Sequence, residues 1–233
     1  MKTGTQTDFE RKLRLAGMVA AVAGLLGAVG DLLLIYTPGF AANLFLVRQL
    51  PTWRITAGTL LAIAVIPFMA LGYWALSKYL TGVSKSISNV VFLGGVYGVA
   101  LGTAIHGTVG TLVRVVQRNS ITFEDVGFIN NYAPIVLPLY GLFYLLMTVG
   151  TIFLAVVIWQ RKSRFPRWFV LLLPLWSNVL ILPIGQWISL IGDLFYPSIA
   201  NLSHAIMFGT MTWWFRNHPD GTHTARSRPS AWD

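Results

Sequence analysis

Long apolar runs that are almost free of charge constrain the fold of this chain more than any other feature. The clearest run, Ile55–Leu76, has 22 residues and no charged side chain. A membrane-spanning helix needs about 20 mainly apolar residues. Charged residues make up only 11% of the 233-residue chain, whereas they make up about 25% of an ordinary soluble domain. Since so few charges cannot cover a soluble surface of this size, the sequence predicts a multi-pass membrane protein.

Six stretches of the chain are apolar enough for this role. They are Leu15–Tyr36, Ile55–Leu76, Ile87–Val113, Ile135–Trp159, Trp168–Ile191 and Ser198–Phe215. The last two are divided at the turn-forming sequence 192–197, which contains Gly192 and Pro197. The predicted fold is therefore all-α, with a bundle of six transmembrane helices over residues 15–215. Residues 1–14 form a basic N-terminus, and residues 216–233 form a basic, disordered tail.

The basic residues predict the orientation, because cytoplasmic loops are enriched in Lys and Arg. With six spans, 13 of the 17 basic residues fall on the side that holds both termini, whereas five spans would give a split of 10 to 7. Both termini are therefore predicted to be cytoplasmic, in a bacterial inner membrane or a eukaryotic endoplasmic reticulum or endomembrane. The net charge of +9 then reflects topology and contact with membrane lipid. It requires no nucleic-acid partner.

Small residues mark the helix faces that are expected to pack together, since lipid provides no hydrophobic drive for helix association. In the third span, glycines recur every four residues around His106, at positions 94, 98, 102 and 110. In the first span, Gly17, Gly24 and Gly27 share a face with Asp31. Both stripes predict tight helix packing, and they would also suit a homo-oligomer.

Four ionisable side chains are predicted at membrane depth: Asp31, His106, Asp193 and His204. With a rise of about 1.5 Å per residue, all four fall in the outer third of the bilayer. Intramembrane ionisable residues are functional candidates by default, so these four are the predicted catalytic residues. The same layer supplies the predicted substrate-binding residues: Tyr140, Tyr144, Gln186, Asn201 and Trp187. For Trp187, an interfacial aromatic belt is an alternative role.

Carboxyl and imidazole groups in a low-dielectric pocket suit acid–base catalysis. The sequence therefore predicts an enzyme that cyclises, isomerises or hydrolyses an isoprenoid, sterol-like or other lipid substrate in an outer-leaflet pocket. Asp31 would be the general acid, and His106 the base or its orienting partner. No cofactor is predicted. A metal such as zinc is less favoured, because the chain has no Cys and no dense histidine motif.

Other interpretations remain open at this point. A proton-coupled or small-solute transporter also uses Asp and His relays, and a non-catalytic assembly partner needs only the glycine stripes. Asp31 could pair with Arg48 or Arg54 near the surface, and His106 could donate to a backbone carbonyl. A closed polar pocket would favour the enzyme, whereas a polar path that reaches Asn89 would favour the transporter.

The run Gly30-Asp31-Leu32-Leu33-Leu34, together with the membrane histidine at position 106, resembles an uncharacterised family of small six-helix membrane proteins of bacteria and fungi. The resemblance implies a fold and carries no activity. In size the chain is also similar to the small membrane-bound terpene cyclases of fungal meroterpenoid pathways. Those proteins have seven helices and an acidic pair that includes Glu. Since this chain has no intramembrane Glu, none of their residues are carried over.

Overall fold

The computed structural model describes residues 4–39, 44–119, 126–160, 162–176 and 188–218. Within these ranges the regular structure is helical, which confirms the all-α prediction. The main helices are α1 (Gly4–Ile35), α2 (Thr52–Val65), α3 (Met69–Leu80), α4 (Lys85–Asn119), α5 (Val126–Trp159) and α6 (Ser189–Asn217). Three short 3-10 helices cover Leu44–Gln49, Ile66–Phe68 and Arg167–Leu172.

Among the described residues, four stretches are long and apolar enough to cross a membrane, and they correspond to the first four predicted spans. They are Asp8–Ile35, Thr52–Leu80, Lys85–Asn119 and Tyr132–Trp159. The second joins α2 and α3 through a 3-10 turn at Pro67, a residue that has no N–H to donate to a regular helix. These four candidate spans indicate a multi-pass membrane protein.

The predicted break between the last two spans is wrong. Helix α6 runs without interruption from Ser189 through Pro197 to Asn217. A proline removes only one backbone hydrogen bond, and the packing of α6 against α1 extends along the helix. Of the predicted span Trp168–Ile191, residues 177–187 lie outside the described residues; in the rest, Arg167–Leu172 is a 3-10 helix and α6 begins at Ser189. Of the predicted tail 216–233, residues 216 and 217 are helical and residues 219–233 lie outside the described residues.

Helix α1 is central to the bundle. It packs against α2, α3 and α6, while α4 packs against α2, α3 and α5. The small-residue face of α1 allows a close approach to α6: a Cβ atom added to Gly24 would lie 2.9 Å from the backbone nitrogen of Ala205. The predicted packing role of this face is therefore confirmed.

The two ends of the bundle differ in composition. Near one end, the Tyr79 ring at the end of α3 stacks on Phe215 near the end of α6, with 3.6 Å between ring centroids. Leu13 of α1 belongs to the same core cluster. We call this the basic end, because its surface holds cations such as Lys78 and Arg216. At the opposite end, which we call the loop end, Gly39 follows α1 and contacts α6.

Candidate functional site

Asp31 and His106 form a direct contact inside the bundle. Nε2 of His106 lies 2.5 Å from Oδ1 of Asp31, and their side chains are 15% and 5% exposed. The other carboxyl oxygen of Asp31 accepts a hydrogen bond of 2.8 Å from Nδ2 of Asn201 on α6. The carboxyl group of Asp31 therefore links α1, α4 and α6 at one point.

The hydrogen bonds determine where the protons of this pair lie. Nδ1 of His106 is 2.6 Å from the carbonyl oxygen of Gly102. A carbonyl can only accept, so Nδ1 carries a hydrogen. Nε2 and the facing oxygen of Asp31 then share a single proton, which belongs either to a carboxylic acid or to an imidazolium. The pair holds one transferable proton in both cases.

A second histidine is held in the same way. Nδ1 of His204 lies 2.6 Å from the carbonyl oxygen of Ala200, and its Nε2 lies 2.6 Å from the hydroxyl oxygen of Tyr73. That hydroxyl is also 3.7 Å from Sδ of Met147. A neutral His204 has its proton on Nδ1 and accepts the Tyr73 hydroxyl hydrogen at Nε2. The site thus contains two histidines, and the Nε2 atom of each contacts a side-chain oxygen.

Both pairs line one cavity of about 280 Å³. Its polar lining includes Asp31, Tyr73, Tyr140, His106, Asn201 and His204. Aliphatic and aromatic side chains from α1 and from α3 to α6 provide most of the remaining wall, including Leu34, Met69, Val99, Phe143 and Ile199. A mostly apolar pocket with a few convergent polar groups is typical of a small-molecule site.

Gly98 and Gly102 of α4 also line this cavity. A Cβ atom added to either residue would find its nearest neighbour 3.7–3.8 Å away, and one added to Gly94 would meet nothing within 4 Å. The predicted tight packing of this stripe is therefore wrong at Gly94, Gly98 and Gly102. Of the four glycines in the stripe, Gly110 alone packs tightly, against Thr59. At the cavity, the glycines leave space for a ligand.

The model of one protein family matches residues 1–218, a range that includes every residue of the cavity. The chain belongs to DUF6796, a family of unknown function. No curated protein and no solved structure matches it. Membership in DUF6796 agrees with the resemblance to an uncharacterised family, and it adds no activity.

The DUF6796 chain brings together most of the predicted site residues. Asp31, His106, His204, Asn201, Tyr140 and Tyr144 all line the cavity. Asp31 and His204 are 3% exposed, so neither side chain faces lipid. Gln186 and Trp187 lie outside the described residues. The homo-oligomer stays a prediction.

Asp193 differs from the other predicted catalytic residues. Its side chain is buried, and Oδ2 accepts a hydrogen bond of 2.7 Å from the backbone N–H of Gly39. Gly39 has a φ of 82°, a conformation that glycine adopts without steric cost. Asp193 therefore joins the loop after α1 to α6, and it is not among the side chains that line the cavity.

Asp31 and Arg54, which the sequence offers as a possible pair, have different partners in the structure. Arg54 donates to the carbonyl oxygens of Leu32 and Tyr36, at 2.8 and 2.9 Å. It thereby caps the C-terminus of α1, where the last carbonyls lack helical partners. Asp31 instead pairs with His106, which also donates to a backbone carbonyl. His106 therefore makes both contacts at once, and its catalytic role stays a prediction.

Tyr73 is the site residue that the sequence interpretation missed. Its ring packs on Gly95 and lies edge-on to Phe208, with 5.2 Å between centroids. A signal was available, because Tyr73 places a phenol group within the predicted span Ile55–Leu76. Among the described residues, no three His, Cys, Asp or Glu side chains are grouped as metal ligands would be.

Proposed function

We propose that this chain is a membrane-embedded enzyme that isomerises or cyclises a lipophilic substrate, such as an isoprenoid or sterol-like molecule, by proton transfer. The observation that carries the proposal is the Asp31–His106 pair, which holds one proton at the wall of a mainly apolar cavity. An apolar wall favours a hydrocarbon substrate, and a positioned acid–base pair contributes typically 10²–10⁴-fold to a rate.

The proposed reaction returns the protein to its starting state. The proton held between Asp31 and His106 adds to one carbon of a substrate double bond and leaves a carbocation. The rings of Tyr140 and Phe143 line the cavity, where aromatic faces stabilise a cation. The same pair then removes a proton from a neighbouring carbon. The double bond has moved, or a ring has closed, and no oxidant, reductant or water is consumed.

The packing beneath the cavity supports an enzyme over a transporter. Large apolar side chains that are at most 1% exposed occupy the bundle between the cavity and the basic end, among them Leu76, Leu80, Phe208 and Met211. In the described part of the chain, Asn89 is an exposed residue of α4, and it is not part of the cavity lining. The polar side chains buried in this region, such as Ser77, Ser88 and Thr212, donate to backbone carbonyls, whereas a solute path would need polar groups that face the solute.

We also propose six crossings, with the basic end in the cytoplasm. Phe165 and Phe169 pack with Phe215 near the basic end, whereas Asp193 contacts Gly39 at the loop end. The chain therefore passes from one end to the other between residues 169 and 193, which supports one more crossing before α6. Positive charge on the cytoplasmic side agrees with the general rule for membrane proteins.

The proposal is tested by comparing lipid extracts of cells that express the wild type or Asp31→Asn. Mass spectrometry should detect a lipophilic product that falls at least 100-fold in Asp31→Asn cells. In membranes isolated from these cells and incubated in deuterium oxide, the product formed by the wild type should gain deuterium at carbon, and Asp31→Asn membranes should form no labelled product. Because the substrate is made before the incubation, that label reports the proton transfer.

The matched control is Asp193→Asn, which makes the same substitution at a buried carboxyl group outside the cavity. An asparagine oxygen can still accept the Gly39 N–H hydrogen bond, so this variant should form the product at the wild-type level. Identical extracts from wild-type and Asp31→Asn cells would contradict the proposal. So would equal losses in the two variants.

A further inference from the structure

A second recess lies at the basic end, along the contact between α1 and α6. Its volume is about 710 Å³, and four cationic side chains line it: Arg11, Lys12, Arg14 and Arg216. It shares no lining residue with the cavity that holds the Asp31–His106 pair. We call this recess the basic groove.

The basic groove changes from charged to apolar along α1. Leu15 and Met18 follow the cations of α1 along the helix and also line the groove; they are 56% and 49% exposed. The candidate membrane span Asp8–Ile35 contains both residues, and the cations of α1 lie nearer to its first residue. A phospholipid has the same arrangement, with a phosphate at the membrane surface and acyl chains directly below it.

The helices themselves meet at the base of the groove. A Cβ atom added to Gly17 would overlap Oγ1 of Thr212, and Thr212 donates to the carbonyl oxygen of Phe208 within α6. The contact between α1 and α6 is therefore closed at this level. A ligand in the groove lies on the outside of the bundle, where membrane lipid is present.

The acidic residues near the groove leave its charge positive. Asp8 lies 3.5 Å from Arg11, and both side chains are more than 60% exposed. Such exposed pairs are weak, because water and salt screen them. Glu10 is the other acidic residue of this part of α1. Two carboxylates against four cations leave an excess positive charge of two.

We propose that the basic groove binds one phospholipid with an anionic headgroup, such as phosphatidylglycerol. The cations contact the phosphate, and Leu15 and Met18 contact an acyl chain. Basic residues at the membrane surface are attracted to anionic lipid headgroups. The apolar side chains favour a lipid over free phosphate, because phosphate has no acyl chain to contact them. This site does not depend on the proposed reaction at Asp31.

The test measures thermal unfolding of the full-length protein in neutral detergent with three additives. Phosphatidylglycerol should raise Tm by roughly 2–4 °C, since a ligand that binds only the native state stabilises it. Phosphatidylcholine and inorganic phosphate at equal concentration should each raise it by less than half as much. An equal shift with phosphatidylcholine would overturn the charge requirement. An equal shift with phosphate would show an anion site without lipid, which also overturns the proposal.

Two variants that remove the same number of charges test whether the lipid binds in the basic groove. The triple variant Arg11→Gln, Lys12→Gln, Arg216→Gln should lose at least half of the phosphatidylglycerol shift. The control, Lys78→Gln, Lys85→Gln, Lys162→Gln, removes the same charge from exposed positions outside the groove and should keep the shift. Equal losses would indicate general surface charge and overturn the site. If the groove variant does not fold, Arg216→Gln alone should reduce the shift, and an undiminished shift would overturn the proposal.

Discussion

Nε2 of His106 lies 2.5 Å from Oδ1 of Asp31, although 75 residues separate the two in the chain. The contact connects α1 with α4, and each of these helices also packs against α2 and α3. The pair therefore has two roles to be separated by experiment. It can contribute to the stability of the bundle, and it can supply a proton to a ligand in the cavity.

The first prediction concerns the stability of this pair. Asp31→Ala and His106→Ala should each destabilise the protein, because each leaves its buried partner without a hydrogen bond. The double variant should be less destabilised than the sum of the single variants, by about 0.5–2 kcal/mol. Unfolding in mixed micelles with increasing denaturing detergent measures these free energies. Additive losses within about 0.3 kcal/mol would mean that the two side chains do not interact.

The sequence predicted that Asp31, His106 and His204 share one site better than it predicted their depths and directions. The predicted depth of His204 assumes a helix that starts at Ser198, whereas α6 starts at Ser189, which places His204 about 22 Å along the helix at a rise of about 1.5 Å per residue. The side of the helix on which a residue lies depends on how the helices are rotated against each other. For that reason Asp193 was grouped with the site although it contacts the loop end. The same ambiguity hid the role of Tyr73.

The glycines of α4 illustrate the same limit. A four-residue repeat shows that Gly94, Gly98 and Gly102 share a face, but the sequence does not show what lies opposite that face. The structure places a cavity there, while the neighbouring face, at Gly95, packs against the ring of Tyr73. Small residues therefore indicate close contact at some positions and empty space at others.

Two adjacent glycines should consequently respond differently to the same substitution. A Cβ atom added to Gly95 would overlap the Tyr73 ring, so Gly95→Ala should destabilise the protein by about 1–3 kcal/mol, as overpacking does. Gly94→Ala meets no neighbour within 4 Å and should be neutral, or stabilising by up to about 1 kcal/mol through helix propensity. Thermal unfolding of both variants in one detergent makes the comparison. The prediction is wrong if both variants behave alike.

A larger side chain at Gly102 should block the cavity and preserve the fold. The space beside this residue is the cavity itself, and the nearest atom to an added Cβ is Cε2 of Phe143, at 3.8 Å. Gly102→Leu should therefore keep Tm within a few degrees of the wild type while the lipophilic product is lost. Gly94→Leu is the control, because it adds the same side chain to the same helix face outside this cavity. Product formation by Gly102→Leu at the wild-type level would place the reaction elsewhere.

The last prediction separates the Tyr73 hydroxyl group from the Tyr73 ring. Tyr73→Phe keeps the ring against Gly95 but removes the donor that lies 2.6 Å from Nε2 of His204. A buried acceptor without a partner costs about 1–3 kcal/mol, so Tm should fall. The ¹⁵N resonance of Nε2 should also move, and it can be followed because the chain has only four histidines. Tyr79→Phe is the control, since Tyr79 stacks on Phe215 outside the cavity. An unchanged His204 resonance in Tyr73→Phe would show that the two side chains are not hydrogen-bonded in the membrane.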